Sequence, residues 1–365
     1  MLSLCLITKN EEHNIAGCLE SAREIADEIV LVDTGSVDAT IEIAAGYGTR
    51  IFEVPWRENF AAAKNETLRH ATGDWILALD ADERLTATGR GKIHRLLEHP
   101  EHDAYLLQLR SPYKLTDTFR RTSTGLAVRL FRNNIGLRYR GRIHERVGPS
   151  TTRKEVTLAT TNITIEHLGY RDNLGPKYRR NLAVALRRKT KHDAFSRYDM
   201  ARMQAGLGRY AEAERHLRRG LEFTGVSAWL RAQILVLLGD VLAYMNRDES
   251  GGLAPWHEAA ETEPEMVAPR LRLGICYYHR GEYGKAARHF ERIVELLHLG
   301  GLRGVPIDDE CTLSEAWASL SACYVSSGRR EEALTAAIAS RNTPPEDETV
   351  KVIPWEYGFG RLAEK

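Results

Sequence analysis

One segment limits what this chain can fold into more than any other. Trp75-Ile76-Leu77-Ala78-Leu79 is an apolar run that breaks at once into Asp80-Ala81-Asp82-Glu83. Such a run, preceded by Gly73-Asp74, reads as a strand buried on both faces of a parallel sheet. Open α/β sheets bind ligands beyond the carboxyl ends of their strands, so Asp80 and Asp82 stand at a sheet mouth. Two carboxylates one residue apart can divide between a ligand hydroxyl and a hard divalent cation that also holds phosphate oxygens. The pattern points to nucleotide chemistry.

The same logic recurs upstream. Leu2 to Thr8 and Glu28 to Asp33 are β-rich runs ending in polar residues, with a helical stretch from about Ile15 to Ile25 between them, which makes a βαβ unit. Asp33-Thr34-Gly35-Ser36 follows the second run, and Asp38 is placed to cap a helix through Ala45. Arg50 to Val54 reads as a third strand, and Phe60 to Ala71 as a helix leading into the Trp75 run. Four strand ends then meet on one edge. No G-x-x-x-x-G-K-[ST] occurs and no G-x-G-x-x-G follows the first strand, which removes the main support for kinase-like and dehydrogenase-like readings.

Taken in order, Cys5 to Glu12, Val30 to Ser36, Asn59 to Glu66 and Asp80-Ala81-Asp82 resemble the family 2 glycosyltransferases, whose domains have the GT-A fold. The resemblance implies a mainly parallel, Rossmann-like α/β domain that binds a nucleotide-sugar donor. It implies that Thr8 and Glu11 line the nucleoside pocket, that Asp33 contacts the base and that Asp80 holds the ribose or the metal. Asp82 would ligate Mn²⁺ or Mg²⁺ under the diphosphate, and Ala81 is counted with the donor-binding residues. Lys64 stands where many members carry Arg, and is carried over as a nucleotide contact.

Composition bounds the rest. A chain of 365 residues, 43% hydrophobic and 28% charged, is long enough for two domains with their own cores. With 51 Lys and Arg against 50 Asp and Glu, the net charge of +1 makes no electrostatic case for nucleic acid. No apolar run reaches the roughly 18 residues of a membrane span, and Met1 leads straight into a strand, so the expectation is a cytoplasmic protein without a span. Cys5, Cys18, Cys276, Cys311 and Cys323 are odd in number and lack C-x-x-C spacing, and are expected to be reduced packing residues.

From about Ala194 the strands vanish and repeats appear. Gly274, Tyr277, Gly281, Tyr283, Ala286 and Phe290 fall at tetratricopeptide spacing, and Trp317, Leu320, Tyr324, Gly328, Ala333 and Ala337 fall on the same template. Gly208, Tyr210, Ala213 and Leu217 match its second half, and a degenerate copy surrounds Gly239. The expected organisation is an α/β domain over 1–172, a linker helix over 173–193, all-α repeats over 194–345 and a tail over 346–365, whose Ile353 to Phe359 docks back on a surface. Leu299 to Cys311 reads as an enlarged loop. Stacked repeats offer a concave face for an acceptor or partner, and are equally compatible with a stabilising role or a homodimer.

Between the halves, Tyr139 to Arg146 sets His144-Glu145 among arginines, and Ile163 to Tyr170 ends a β-like run at His167. Neither makes H-E-x-x-H. Both pieces resemble the transferase subgroup that carries tetratricopeptide-like repeats and includes enzymes glycosylating bacteriocin peptides on cysteine. That resemblance implies Glu145 as the base at the acceptor and His167 as a metal ligand beside Asp82. The alternatives are an Arg salt bridge for Glu145 and a satisfied, partly buried His167. The reading is an inverting, metal-dependent transferase moving a hexose from a UDP-sugar to a peptide, protein or glycan. The rival is a repeat scaffold whose first domain binds nucleotide with little turnover.

Overall fold

A computed structural model of the protein describes residues 1–114, 120–143, 145–149, 156–170, 175–186, 193–303, 311, 313–342 and 351–353. His144 of the His-Glu pair and the tail beyond Ile353 lie outside the described residues. The chain divides into two units, Met1–Asp172 with Asp347–Lys365, and Asn173–Glu346.

The first unit begins β1 (Leu2–Thr8), α1 (Ile15–Ala22), β2 (Glu28–Asp33), α2 (Thr40–Ala45), β3 (Arg50–Glu53), α3 (Phe60–His70) and β4 (Trp75–Ala78). It continues with β5 (Glu83–Leu85), α4 (Ala87–Glu98), β6 (Ala104–Lys114), β7 (Arg120–Arg132), β8 (Leu137–Arg140), β9 (Arg146–Pro149) and β10 (Leu158–His167). Beyond these, β11 (Lys351–Ile353) pairs with β10, so this short piece of the tail returns to the sheet. The sheet runs β11-β10-β6-β7-β4-β1-β2-β3, with β5 also on β10, and β8-β9 form a separate hairpin. Strands β4, β1, β2 and β3 are parallel to one another, β7 is antiparallel to both β4 and β6, and β10 returns parallel to β6.

The parallel strands are apolar throughout because both faces are covered. On one face Leu2, Leu4, Leu6, Leu31, Leu77 and Leu79 pack with Ile15, Cys18 and Leu19 of α1 and Ile93 of α4. Alternate residues Cys5, Val30, Ile76 and Ala78 point the other way, onto Ala61 and Leu68 of α3 and onto Leu137 and Tyr139 of β8. At the amino ends of these strands Glu28 accepts hydrogen bonds from Ser3 Oγ (2.5 Å), the Thr72 and Gly73 N–H groups (2.5 and 3.1 Å) and Arg50 Nη1 (2.6 Å). Burial opposes its charge, but these donors overcome that and lower its pKa to about 2.

The second unit is α5 (Gly175–Leu186), α6 (Ala194–Gly206), α7 (Tyr210–Leu221), α8 (Ala228–Asn246), α9 (Leu253–Thr262), α10 (Val267–His279), α11 (Tyr283–Arg303), α12 (Leu313–Ser326) and α13 (Arg330–Asn342). Each helix from α5 on packs against the next, and Leu182 of α5 joins Met200 and Met203 of α6. Three pairs, α6/α7, α10/α11 and α12/α13, turn on Gly208, Gly281 and Gly328, whose φ of +74°, +74° and +77° only glycine adopts readily. The α8/α9 pair, the degenerate copy, turns instead on Arg247 at φ +52°. Small residues admit aromatics: a Cβ on Gly274 would meet the Phe290 ring at 2.8 Å, and one on Gly239 the Trp256 indole at 2.3 Å. The expected loop from Leu299 is corrected in part, because α11 continues as far as Arg303. Continuing a formed helix needs no new nucleus, so the cost here is only the roughly 1 kcal/mol by which each of Gly300 and Gly301 falls short of alanine. Among the described residues α8 alone is long and apolar enough to cross a membrane by length and composition. Its Ile234, Leu238 and Val241 pack with Ala201, Ala213 and Leu217 of α6 and α7.

All five cysteines are free and buried. The Cys5 thiol is pushed up to about 12 by burial.

Candidate active site

Parallel register brings Thr8 level with Asp33, and Asp33 level with Glu53, while β4 ends beside Cys5 and releases Asp80. The loops after β1 and β2 are laced together. Asn10 and Glu12 N–H donate to Ser36 Oγ (2.9 Å) and Asp38 Oδ2 (3.2 Å), and Val37 and Ala39 N–H donate back to Asn10 Oδ1 (2.9 Å) and Glu12 Oε2 (3.1 Å). The Glu11 N–H donates to Thr40 Oγ1 (2.7 Å), its carbonyl accepts from the first residues of α1, and its Oε2 accepts from Asn14 Nδ2 (2.9 Å). The observed N-cap of α2 is Ala39, so Asp38, the cap that the sequence suggests, stands one position before it and accepts from the Thr40 N–H at 3.1 Å.

Asp33 is 1% exposed, and its own turn uses both oxygens. Oδ1 accepts from Thr8 Oγ1 (3.1 Å) and Ser36 Oγ (2.5 Å), and Oδ2 from the N–H groups of Gly35 and Ser36 (2.8 Å each). A carboxylate offers about four acceptor positions, so a nucleotide base at Asp33 has to displace a partner already present.

Helix α3 explains the spacing of Asn59 to Glu66. Asn59 Oδ1 caps the helix by accepting from the Ala62 N–H at 3.1 Å. Asn65 pairs with the Tyr139 main chain of β8 through two bonds of 2.9 Å. Lys64, 6% exposed and 5.5 Å from the Tyr139 ring centroid, extends its Nζ to Asp80 Oδ1 and Glu145 Oε1, at 2.7 Å each. The salt bridge at Glu145 is therefore to Lys64 on α3 rather than to a neighbouring arginine.

Asp80 carries a second cation. Arg129 of β7 donates from Nη2 to Asp80 Oδ2 (2.9 Å) and to Glu83 Oε1 (2.5 Å), giving a line of alternating charge Glu145–Lys64–Asp80–Arg129–Glu83. Burial penalises the Asp80 charge, but Lys64 and Arg129 overcome this and hold its carboxyl far below the ordinary range. Burial likewise disfavours the Lys64 ammonium, which Asp80 and Glu145 hold charged. Glu83 behaves oppositely: burial, with Asp80 adding to it, raises its pKa against the pull of Arg129. Ala81 turns its side chain into the apolar core, and only its main chain is available to a ligand.

Asp82 Oδ2 lies 3.3 Å from His167 Nε2, and His167 Nδ1 is 3.3 Å from Ser111 Oγ. Pairing of β5 with β10 sets Glu83 opposite His167, and the Leu168 N–H donates to the Asp82 carbonyl at 2.8 Å. A Cβ on Gly169 would meet Asp82 Oδ2 at 1.9 Å, so only glycine leaves that oxygen where it is. Two ligands at right angles on an ion with bonds of about 2.1 Å stand about 3 Å apart, and an oxygen with an imidazole nitrogen suits Mn²⁺. The pair fits a divalent cation. Among the described residues no third His, Cys, Asp or Glu completes a cluster with them.

The structure thus joins Lys64, Asp80 and Glu145 in one network, sets Asp82 against His167, and gives Thr8, Glu11 and Asp33 to the laced loops. Sequence reasoning missed Glu83, Arg129 and Gly169. The signal for Arg129 was a lone charge in the run Leu126 to Phe131, where Val128, Leu130 and Phe131 are buried.

Residues 3–157 match the glycosyl transferase family 2 profile, with His167 beyond the matched span. A TPR repeat-containing protein of Synechococcus elongatus is 29% identical over 310 residues, covering 78% of this chain and 73% of that protein. The SPbeta prophage-derived glycosyltransferase SunS of Bacillus subtilis is 30% identical over 186 residues, covering 48% of this chain and 42% of SunS. Glucosyl-3-phosphoglycerate synthase from Mycobacterium tuberculosis, solved with Mn²⁺ and UDP-glucose, overlaps 30% of this chain and 44% of that one at 24% identity and a TM-score of 0.27.

Proposed function

We propose, from the match of residues 3–157 to the glycosyl transferase family 2 profile, an inverting enzyme that moves a hexose from a UDP-sugar to a peptide, protein or glycan acceptor with Mn²⁺ or Mg²⁺. One observation carries the reading: Lys64 Nζ binds Asp80 and Glu145 at 2.7 Å each, tying the donor-side carboxylate to the acceptor-side one beside the Asp82–His167 pair.

Asp82 and His167 would hold the cation, which when bound neutralises the diphosphate leaving group. Asp80, kept ionised between two cations, is the acceptor offered to a ribose hydroxyl. Glu145 Oε1 is taken by Lys64, whereas Oε2 accepts no hydrogen bond among the described residues and is the proposed proton acceptor. In the transfer, the acceptor oxygen or sulfur bonds to the anomeric carbon as its proton passes to Glu145 and the carbon–phosphate oxygen bond breaks, its electron pair leaving with the diphosphate. A single displacement inverts the centre. With a cysteine acceptor, whose free thiol has a pKa of about 8.5, the base matters less than with a hydroxyl.

Thermal melting with UDP-, GDP- and dTDP-hexoses, with and without Mn²⁺ or Mg²⁺, tests the donor, since a ligand bound by the folded state alone raises apparent stability. The expected result is a rise with UDP-sugars that needs metal, and no response to any donor contradicts the reading. In the responsive combination Glu145→Gln should keep the rise while turnover on a hydroxyl acceptor drops about 10²–10⁴-fold. Equal loss of both assigns Glu145 to its salt bridge alone.

A further inference from the structure

Glu83 is 0% exposed, and a carboxylate that deep is held at a desolvation cost its own ion pair seldom recovers. Its N–H and both carboxylate oxygens are engaged around one turn. The Glu83 N–H donates to the Asp80 carbonyl at 2.9 Å, and the Asp80 N–H donates back to Glu83 Oε2 at 2.9 Å. Glu83 Oε1 accepts from Arg129 Nη2 at 2.5 Å, and the same nitrogen donates to Asp80 Oδ2 at 2.9 Å. The turn Asp80-Ala81-Asp82-Glu83 is therefore closed twice between its ends and a third time through β7. Asp82 is its third residue, and Glu83 faces His167 across the β5–β10 pairing, so the shape of the turn decides where Asp82 stands against His167. Arg129 Nε is buried without a partner among the described residues. The guanidinium sits where the two carboxylates need it, not where its own donors are all satisfied.

We infer that Glu83 and Arg129 are positioning residues of the donor site, fixing the Asp-Ala-Asp turn in the one arrangement that presents Asp80 and Asp82 together to a nucleoside diphosphate and its cation. Neither has to touch the ligand. The inference rests on the donor-site reading proposed above, and calorimetry of UDP binding with Mn²⁺, paired with melting followed by circular dichroism, separates the two. If the wild-type protein binds no UDP, the donor-site reading fails and takes this inference with it. If it does bind, Glu83→Gln, which keeps an acceptor for the Asp80 N–H but loses the anionic one for Arg129, should weaken affinity about 10–100-fold, the usual effect of losing a group that orients a metal ligand. Arg129→Lys, which keeps the charge, should retain part of the affinity. Glu83→Leu with Arg129→Met removes both buried charges, which tends to preserve stability, and should melt near wild type yet bind UDP weakly. Wild-type affinity in the folded double variant, or in Glu83→Gln and Arg129→Lys should the double variant not fold, makes the pair a structural ion pair and overturns the inference.

Discussion

Gly169 shows how a residue without a side chain sets the place of the one beside it. The nearest atom to its absent Cβ is Asp82 Oδ2 at 1.9 Å, the far end of a side chain that can turn away. Gly169→Ala should therefore fold nearly as well as wild type while pushing Asp82 off His167. Mn²⁺-dependent UDP affinity should drop about 10–100-fold with melting little changed. Calorimetry and a melting curve check this, and an unaltered affinity would mean that Asp82 keeps its place by another route. At this scale the sequence yields the residues that run in signature order, such as Lys64, Asp80 and Asp82, and hides those whose role is set by distant partners. Arg129 reaches Asp80 from 49 positions away, a pairing no local pattern records.

At the scale of elements, β1, β2 and β4 are legible because burial on both faces leaves unbroken apolar runs, and the parallel half expected of a GT-A domain appears as β4-β1-β2-β3. In the antiparallel half only the β10 run ending at His167 stands out in the sequence. The sequences of β6 and β7 keep no strict alternation and name no partner, and β8–β9 is a hairpin of four-residue strands. Glu28 ties the parallel half together at its amino ends, and its pKa of about 2 gives the tie a pH signature. The folded value lies below the unfolded one, so the contribution is present above about pH 4.3 and is lost as pH falls through about 2. Glu28→Gln should cost roughly 2–3 kcal/mol near neutrality and flatten stability between about pH 4 and pH 2, read by urea unfolding across that range. An acid limb identical to wild type would show that Glu28 contributes nothing through its charge.

For the whole molecule, the repeat template was visible in the sequence because its small and aromatic residues meet directly, as Gly274 meets Phe290 and Gly239 meets Trp256. What the stack binds is not written in those packing residues. The acceptor is proposed to be read by exposed polar residues on the first helix of each pair, Arg202 of α6 among them. Substituting these should raise the acceptor KM while donor hydrolysis stays unchanged, and an unmoved KM throughout would leave the repeats a structural role. The account as a whole stands on a cation shared by Asp82, His167 and the donor diphosphate. Asp82→Ala removes a hard oxygen ligand that water cannot position as well. The direct measurement is UDP affinity by calorimetry, with and without Mn²⁺, in the wild-type and Asp82→Ala proteins. The account predicts that Mn²⁺ strengthens wild-type binding and leaves the variant's unchanged, whereas equal strengthening in both would contradict it.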